Sequence, residues 1–223
     1  MDGKLFGQAM VKFACGLLIV GALLFLPAGT WDFWQAWLLL AILFIPMFIA
    51  GLIMMKKSPE LLRKRLNARE EQAEQKTVLL LSALMFTAAF ILAGLNRRFH
   101  WITLPAWVSW TAAAVFLVAY ALYAEVLREN AYLSRTIEVQ ENQQVIDTGL
   151  YGVVRHPMYM TTLLLFLAMP LVLGSLISFV IMLAYIPIIA KRIRNEEAVL
   201  EDGLKGYREY KRKVRYKVIP FVW

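Results

Sequence analysis

The sequence is poor in the residues that build disulfide scaffolds and metal centres. Cysteine occurs once, at Cys15, which excludes an internal disulfide and reads as a small packing residue. Histidine occurs twice, at His100 and His156, too far apart to read as a ligand cluster, so no metal is expected. No repeat or low-complexity segment is evident. Charge is scarce as well: Asp, Glu, Lys and Arg make up 18% of the residues, and long runs contain none of them. What replaces them is apolar. Hydrophobic residues reach 60%, against roughly 45–50% in an ordinary soluble domain. The excess falls in continuous runs, which is the signature of membrane-spanning segments.

The net charge of +8 would suit a nucleic-acid binder if it formed one basic face. Instead, Lys and Arg flank the apolar runs, where membrane topology explains them, so nucleic acid is not an expected partner. The first run covers about 10–27, the second 33–55, the third 77–95 and the fourth 104–127. No small-x-small cleavage site follows the first run. Trp31, Trp34 and Trp37 next to it suit an interfacial aromatic belt, so it reads as a retained helix rather than a signal peptide.

From Pro157 to Ala190 there is no charged residue. As one straight helix this stretch would be about 50 Å long, whereas the hydrocarbon core is about 30 Å thick. Pro170 and Gly174-Ser175 interrupt it near the middle. Two antiparallel helices, 158–173 and 176–190, resolve the mismatch. The expectation is an all-α integral membrane protein with about six membrane helices, including a C-terminal helical hairpin.

Seven Lys or Arg lie in 56–76 and ten lie from Lys191 onward, while 96–103 holds only Arg97 and Arg98. The positive-inside bias predicts that the 56–76 loop, the 128–156 segment and both termini are cytoplasmic. Within that loop, Ser58, Pro59 and Glu60 are helix-start signals, and Leu61, Leu62 and Leu66 share a face. A short headgroup-bound helix, a solvated linker and a substrate-facing rim all fit. Two regions follow: residues 1–127 as N-terminal membrane helices, and 128–223 as the catalytic region.

Four features of that second region can carry chemistry. Ile137, Val139, Val145 and Ile146 around a polar turn predict a small β-ribbon or an extended lid. Arg155-His156-Pro157 then opens a membrane helix, with Tyr159 just inside it. A helix N-terminus with a fixed guanidinium and an imidazole suits an anionic group; equally, Pro157 could simply start a helix while Arg155 reaches lipid phosphate. Arg192, Arg194, Glu196 and Glu197 stand where the sixth segment leaves the membrane, and the carboxylates could pair with Arg155, Arg192 or Arg194, face a cationic ligand, or accept hydrogen bonds from ribose hydroxyls. Tyr207, Tyr210 and Val214 recur at i, i+3 and i+7, which predicts an amphipathic helix, read first as bound to headgroups.

Together these motifs resemble the isoprenylcysteine carboxyl methyltransferase family. The resemblance runs over 128–223: Gly149-x-Tyr151-x-x-Val154-Arg155-His156-Pro157-x-Tyr159, a charge-free hairpin, Glu196-Glu197-x-x-Leu200, Tyr207-x-x-Tyr210-x-x-x-Val214, and Pro220. Phospholipid N-methyltransferases and membrane thiol methyltransferases are similar in the same region. The resemblance implies S-adenosylmethionine as cofactor, held in a cytoplasm-facing pocket made by the hairpin ends and the tail. His156 and Tyr159, beside Arg155, would hold its methionine end. Leu150, Tyr151 and Val154 would line its adenine side. Glu196 or Glu197 would be the acidic partner, and with Arg192 these two are the candidate catalytic residues. The implied acceptor is lipid-like or prenylated. One departure bears on its shape: where the family usually has a small residue after the tyrosine, this chain has Met160, Thr161 and Thr162. Two other readings stand beside this one, an NADPH-dependent membrane reductase of the sterol reductase type and a non-enzymatic membrane protein.

Overall fold

The computed structural model describes residues 3–67, 73–130, 132, 139 and 141–223. Among these residues the secondary structure is entirely helical: α1 (Gly3–Ala28), α2 (Trp34–Lys57), α3 (Pro59–Asn67), α4 (Ala73–Phe99), α5 (Ala106–Glu129), a 3-10 turn (Gly149–Gly152), α6 (Pro157–Val172), α7 (Leu176–Met182), α8 (Tyr185–Gly203) and α9 (Tyr207–Lys213).

Five helical segments are long and apolar enough to cross a bilayer: Gly3–Ala28, Trp34–Lys57, Thr77–Phe99, Ala106–Glu129, and α7 with α8 as Leu176–Gly203. The composition is that of a multi-pass integral membrane protein. α6 is a shorter apolar helix of 16 residues, about 24 Å at 1.5 Å per residue. Six segments were expected; the fifth, the first arm of the hairpin, is short of the usual span. Even so, its turn reaches the opposite end of the bundle. A Cβ on Gly174 would lie 3.5 Å from Gln35 Nε2 and 3.7 Å from Ser109 Oγ, side chains at the starts of α2 and α5. The turn is closed by Ser175, whose Oγ accepts from Ser178 N at 3.2 Å, while Ser178 Oγ donates to Ala89 O at 2.7 Å.

The core sits between α1, α2, α4, α5 and α6, around Leu24, Phe33, Leu39, Phe116 and Val172. Many side chains on the other faces of the same helices are exposed and apolar, such as Leu18, Ile45, Leu80 and Val118. Helices that stay apolar all round are suited to lipid contact. At the end opposite the site, Trp34 stacks on Trp110 and Arg97 bonds Asp32.

Two expectations are corrected. The second arm of the hairpin was expected to be one helix over 176–190. It is instead two, α7 and α8, with a break at Leu183-Ala184. Pro187 is the cause: it occupies the third position of α8 and can neither donate to nor sterically tolerate the carbonyl four residues back. α8 then runs on to Gly203, because Tyr185, Ile189, Ile193 and Glu197 recur every fourth residue on its buried face. The apolar part of this arm ends at Ala190, and the part that follows is charged. Among the described residues no strand forms, which goes against the β-ribbon but not against the extended lid. Val145 and Ile146 are irregular backbone, and Ile137 lies outside the described residues. The 56–76 loop does form a helix, α3, whose Leu62 is buried against Leu5 and Met55 rather than lying free.

Candidate active site

The charged face of the bundle gathers the end of α5, the 3-10 turn, the start of α6, the projecting half of α8, and α9. The chain reaches the α6 start through a turn that only glycine fits. Gly149 has φ +50°, and a Cβ there would fall 1.5 Å from Glu129 Oε1. The Glu129 carboxylate instead accepts from Leu150 N at 3.2 Å. Next to it, Asn130 Nδ2 donates to Tyr151 Oη at 2.9 Å. The end of α5 thereby holds the turn that delivers Arg155 and His156.

Arg155 and His156 are 6% and 4% exposed, unusual burial for such groups. Their partners explain it. Arg155 Nε donates to Glu197 Oε1 at 2.8 Å, and its Nη1 donates to Val214 O and Arg215 O, each at 2.7 Å. His156 Nε2 lies 3.2 Å from Glu197 Oε1, and Lys217 Nζ lies 3.0 Å from Glu197 Oε2. The backbone joins in: Arg155 N donates to Tyr216 O at 2.9 Å and His156 N to Lys217 O at 2.8 Å. Burial alone would raise the Glu197 carboxyl. Hydrogen bonds from His156, Lys217 and Arg155 outweigh it and hold the group well below the usual carboxylate range. Glu197 is therefore the anionic centre of a buried cluster that fastens the 214–217 segment to the start of α6.

Glu196 faces the other way. Its carboxylate accepts from Tyr159 Oη, which in turn accepts from Arg192 Nε at 3.0 Å. His156 Nδ1 stands 3.9 Å from Glu196 Oε1. A pocket opens here. Its polar wall is Arg155, His156, Tyr159, Arg192 and Glu196, and its floor includes Pro157 and Met158. Val145, Ile146, Leu200 and Leu204 supply apolar surface, and Tyr151, Tyr207 and Tyr210 supply rings. Asn130, Tyr132, Gln143 and Gln144 complete the rim.

Of the residues expected at the site, Tyr151, Arg155, His156, Tyr159, Arg192 and Glu196 line this pocket. Leu150, Val154 and Glu197 are not among its lining residues; Val154 is fully buried and Glu197 nearly so. The tail helix was read first as bound to headgroups, and the structure docks it on the pocket instead. Tyr210 Oη donates to Tyr151 O at 2.8 Å, and Tyr207, Tyr210 and Val214 pack with Leu204, Val139 and Val145. The i, i+3, i+7 spacing signalled the buried face without saying what it covers. Asn130, Gln143, Gln144 and Leu204 carried no such signal.

One atom in the wall is unsatisfied. The Tyr207 hydroxyl is buried and has no hydrogen-bond partner among the described residues. Burial, together with the negative charge of Glu197 and Glu196, pushes its phenol far above the usual range, so it is a donor with nothing to donate to.

Comparison with known proteins bears on the same region. Residues 110–202 match the isoprenylcysteine carboxyl methyltransferase (ICMT) family. A Delta(14)-sterol reductase of Mus musculus is 31% identical over 91 residues, which is 40% of this chain and 22% of the reductase. The chain thus covers well under a third of that relative's length. The family match takes in most of α5, the turn that carries Arg155 and His156, α6, α7 and nearly all of α8, and stops before α9. Over residues 110–202, then, the chain is similar to the isoprenylcysteine carboxyl methyltransferase family.

Proposed function

We propose that the protein is an S-adenosylmethionine-dependent methyltransferase acting on a membrane-partitioned acceptor at the cytoplasmic membrane face. The observation that carries this reading is the pocket's composition and place. Acidic, basic and aromatic groups converge at the ends of a segment that is charge-free from Pro157 to Ala190. The ICMT-family match over the same residues supports it.

The residues suit the cofactor. It has an ammonium, which the Glu196 carboxylate would hold, and a carboxylate, which Arg192 and His156 would hold. Its ribose hydroxyls offer the acceptor that the buried Tyr207 hydroxyl lacks. Its adenine would rest on Val145, Ile146, Leu200 and Leu204. When bound, the cofactor supplies an electrophilic methyl group on a sulfonium centre. Tyr159, fixed between Arg192 and Glu196, orients the wall nearest the membrane. The docked α9 and the 143–146 segment exclude water from it. A carboxylate or thiolate acceptor needs no general base, so positioning would supply most of the rate. An amine or thiol acceptor would pass its proton to Glu196, the carboxylate in the pocket wall. Arg155 and Glu197 act as positioning residues, because their hydrogen-bonding groups are engaged with each other and with the 214–217 segment.

A second reading, an NADPH-dependent reductase, is favoured by the similarity to the sterol reductase. Calorimetric titration of the detergent-solubilised protein separates the two. S-adenosylmethionine is expected to bind in the micromolar range and NADPH not at all. The reverse result would overturn the methyltransferase assignment. Transfer of labelled methyl groups to acceptors matched in head group and differing in tail length would then test the lipidic acceptor.

A further inference from the structure

The segment after α9 does two things in ten residues. Its first half supplies the carbonyls of Tyr216 and Lys217 to the amides of Arg155 and His156. Its second half, 218–223, folds into a compact turn. Val218 N and Ile219 N both donate to Trp223 O at 2.9 Å, Phe221 has a left-handed φ of 65°, and Tyr216 packs its ring 5.3 Å from that of Phe221. The turn is hydrogen-bonded, yet three of its apolar side chains are not covered. Phe221 is 86% and Val222 76% exposed, and Ile219 is exposed as well. In water this would be a costly arrangement.

The neighbours of the turn show what covers it. Val218 is fully buried in a cluster with Met85, Tyr185 and Ile189, and Trp223 packs on the same cluster. Met85 lies about 12 Å along α4 from Thr77, where that candidate span begins, at 1.5 Å per residue. Ile189 belongs to the charge-free stretch of the hairpin. The turn is therefore seated at the level of the membrane helices and not out in the solvent. Exposed Arg212 and Arg215 precede it, placed to meet lipid phosphate.

We infer that residues 218–223 form an interfacial anchor, with Ile219, Phe221 and Val222 inserted at the boundary between phospholipid headgroups and acyl chains. Phospholipid is the partner, and the anchor ties the bilayer to the latch on Arg155 and His156. The inference rests on the membrane placement of the helices and is independent of the reaction catalysed.

The test uses the full chain in phospholipid nanodiscs of mixed phosphatidylcholine and phosphatidylglycerol. In a Cys15→Ser background, a nitroxide is attached at Phe221→Cys and, as reference, at Arg208→Cys. Because Phe221 is exposed, labelling there removes its contact with the Tyr216 ring but leaves the packing of Val218 and Trp223 in place. The label at 221 is expected to collide with oxygen and be shielded from a water-soluble nickel chelate, with the opposite pattern at 208. Equal access of the chelate to both labels would overturn the anchor. Hydrogen exchange supplies the second readout. The Phe221→Asp, Val222→Asp double variant is expected to speed exchange in the peptide containing Arg155 and His156 several-fold in nanodiscs. Unchanged exchange would overturn the coupling to the latch.

Discussion

Two adjacent carboxylates on α8 have different jobs, and a helix places them 100° apart for it. Glu197 is 4% exposed and holds Arg155, His156 and Lys217 together, whereas Glu196 faces the pocket. Removing one partner of a buried ion pair strands the others, at a cost of about 3–5 kcal/mol. Glu197→Leu is accordingly expected to lower unfolding stability in detergent by that amount, and Glu196→Gln to leave stability nearly unchanged while weakening cofactor binding. The Glu197 carboxyl is depressed in the folded protein, so its contribution is complete above the unfolded-state value and is lost as pH falls. The folded protein should therefore lose stability below about pH 4, and Glu197→Leu should lose less over the same range. At Tyr207 the hydroxyl is the question. Since it has no partner in the pocket wall, Tyr207→Phe should be neutral or slightly stabilising in the free protein. If the hydroxyl meets the cofactor, the same variant should weaken binding by roughly tenfold, about the worth of one neutral hydrogen bond. Unchanged affinity by calorimetry would remove Tyr207 from the site.

At the level of elements, the site depends on contacts between segments far apart in sequence. The end of α5 fixes the Gly149–Gly152 turn through Glu129 and Asn130. Gly149→Ala would thrust a methyl group into the Glu129 carboxylate and impose a left-handed backbone on a residue with a Cβ, which alone costs about 1–2 kcal/mol. The expected result is a loss of cofactor affinity of at least tenfold, with Glu129→Ala in the same chain recovering part of it. No recovery would show that the backbone strain, and not the clash, dominates. The same turn shows why the sequence was legible only in part. Gly149 and Gly152 mark backbone freedom, but nothing in the chain says that a carboxylate twenty residues earlier fills the space. The break between α7 and α8 was readable in principle from Pro187, though it is outweighed by the uninterrupted apolar character around it.

For the whole molecule, the direction of the helices places the starts of α2 and α5 and the hairpin turn at one end, and α3, the pocket and α9 at the other. We propose that this second end is cytoplasmic. Single cysteines at Glu60 and Arg208, both exposed, should react with an impermeant maleimide only from the cytoplasmic side, and cysteines at Asp32 and Trp101 only from the other. Labelling of positions 60 and 208 from opposite sides would contradict the topology.

Composition and periodicity alone determined that the chain is built of apolar helices, where most of them begin, and that Pro157 to Ala190 must double back. These are properties of local runs: a charge-free stretch and a helical repeat act over neighbours in the chain, so they can be read from it. The hairpin put Arg155, His156, Tyr159, Arg192, Glu196 and Glu197 at one end, and the resemblance to a methyltransferase family made them one motif set. Only the tertiary structure decided that Arg155 and Glu197 spend their charges on each other and on the backbone of 214–217, that α9 closes the pocket, and that Val139 and Val145 pack against α9. Those outcomes depend on which groups meet across forty to sixty residues. The pairing of a buried charge is settled by whichever partner the packed helices bring within about 3 Å, and the order of residues along the chain carries no record of that choice.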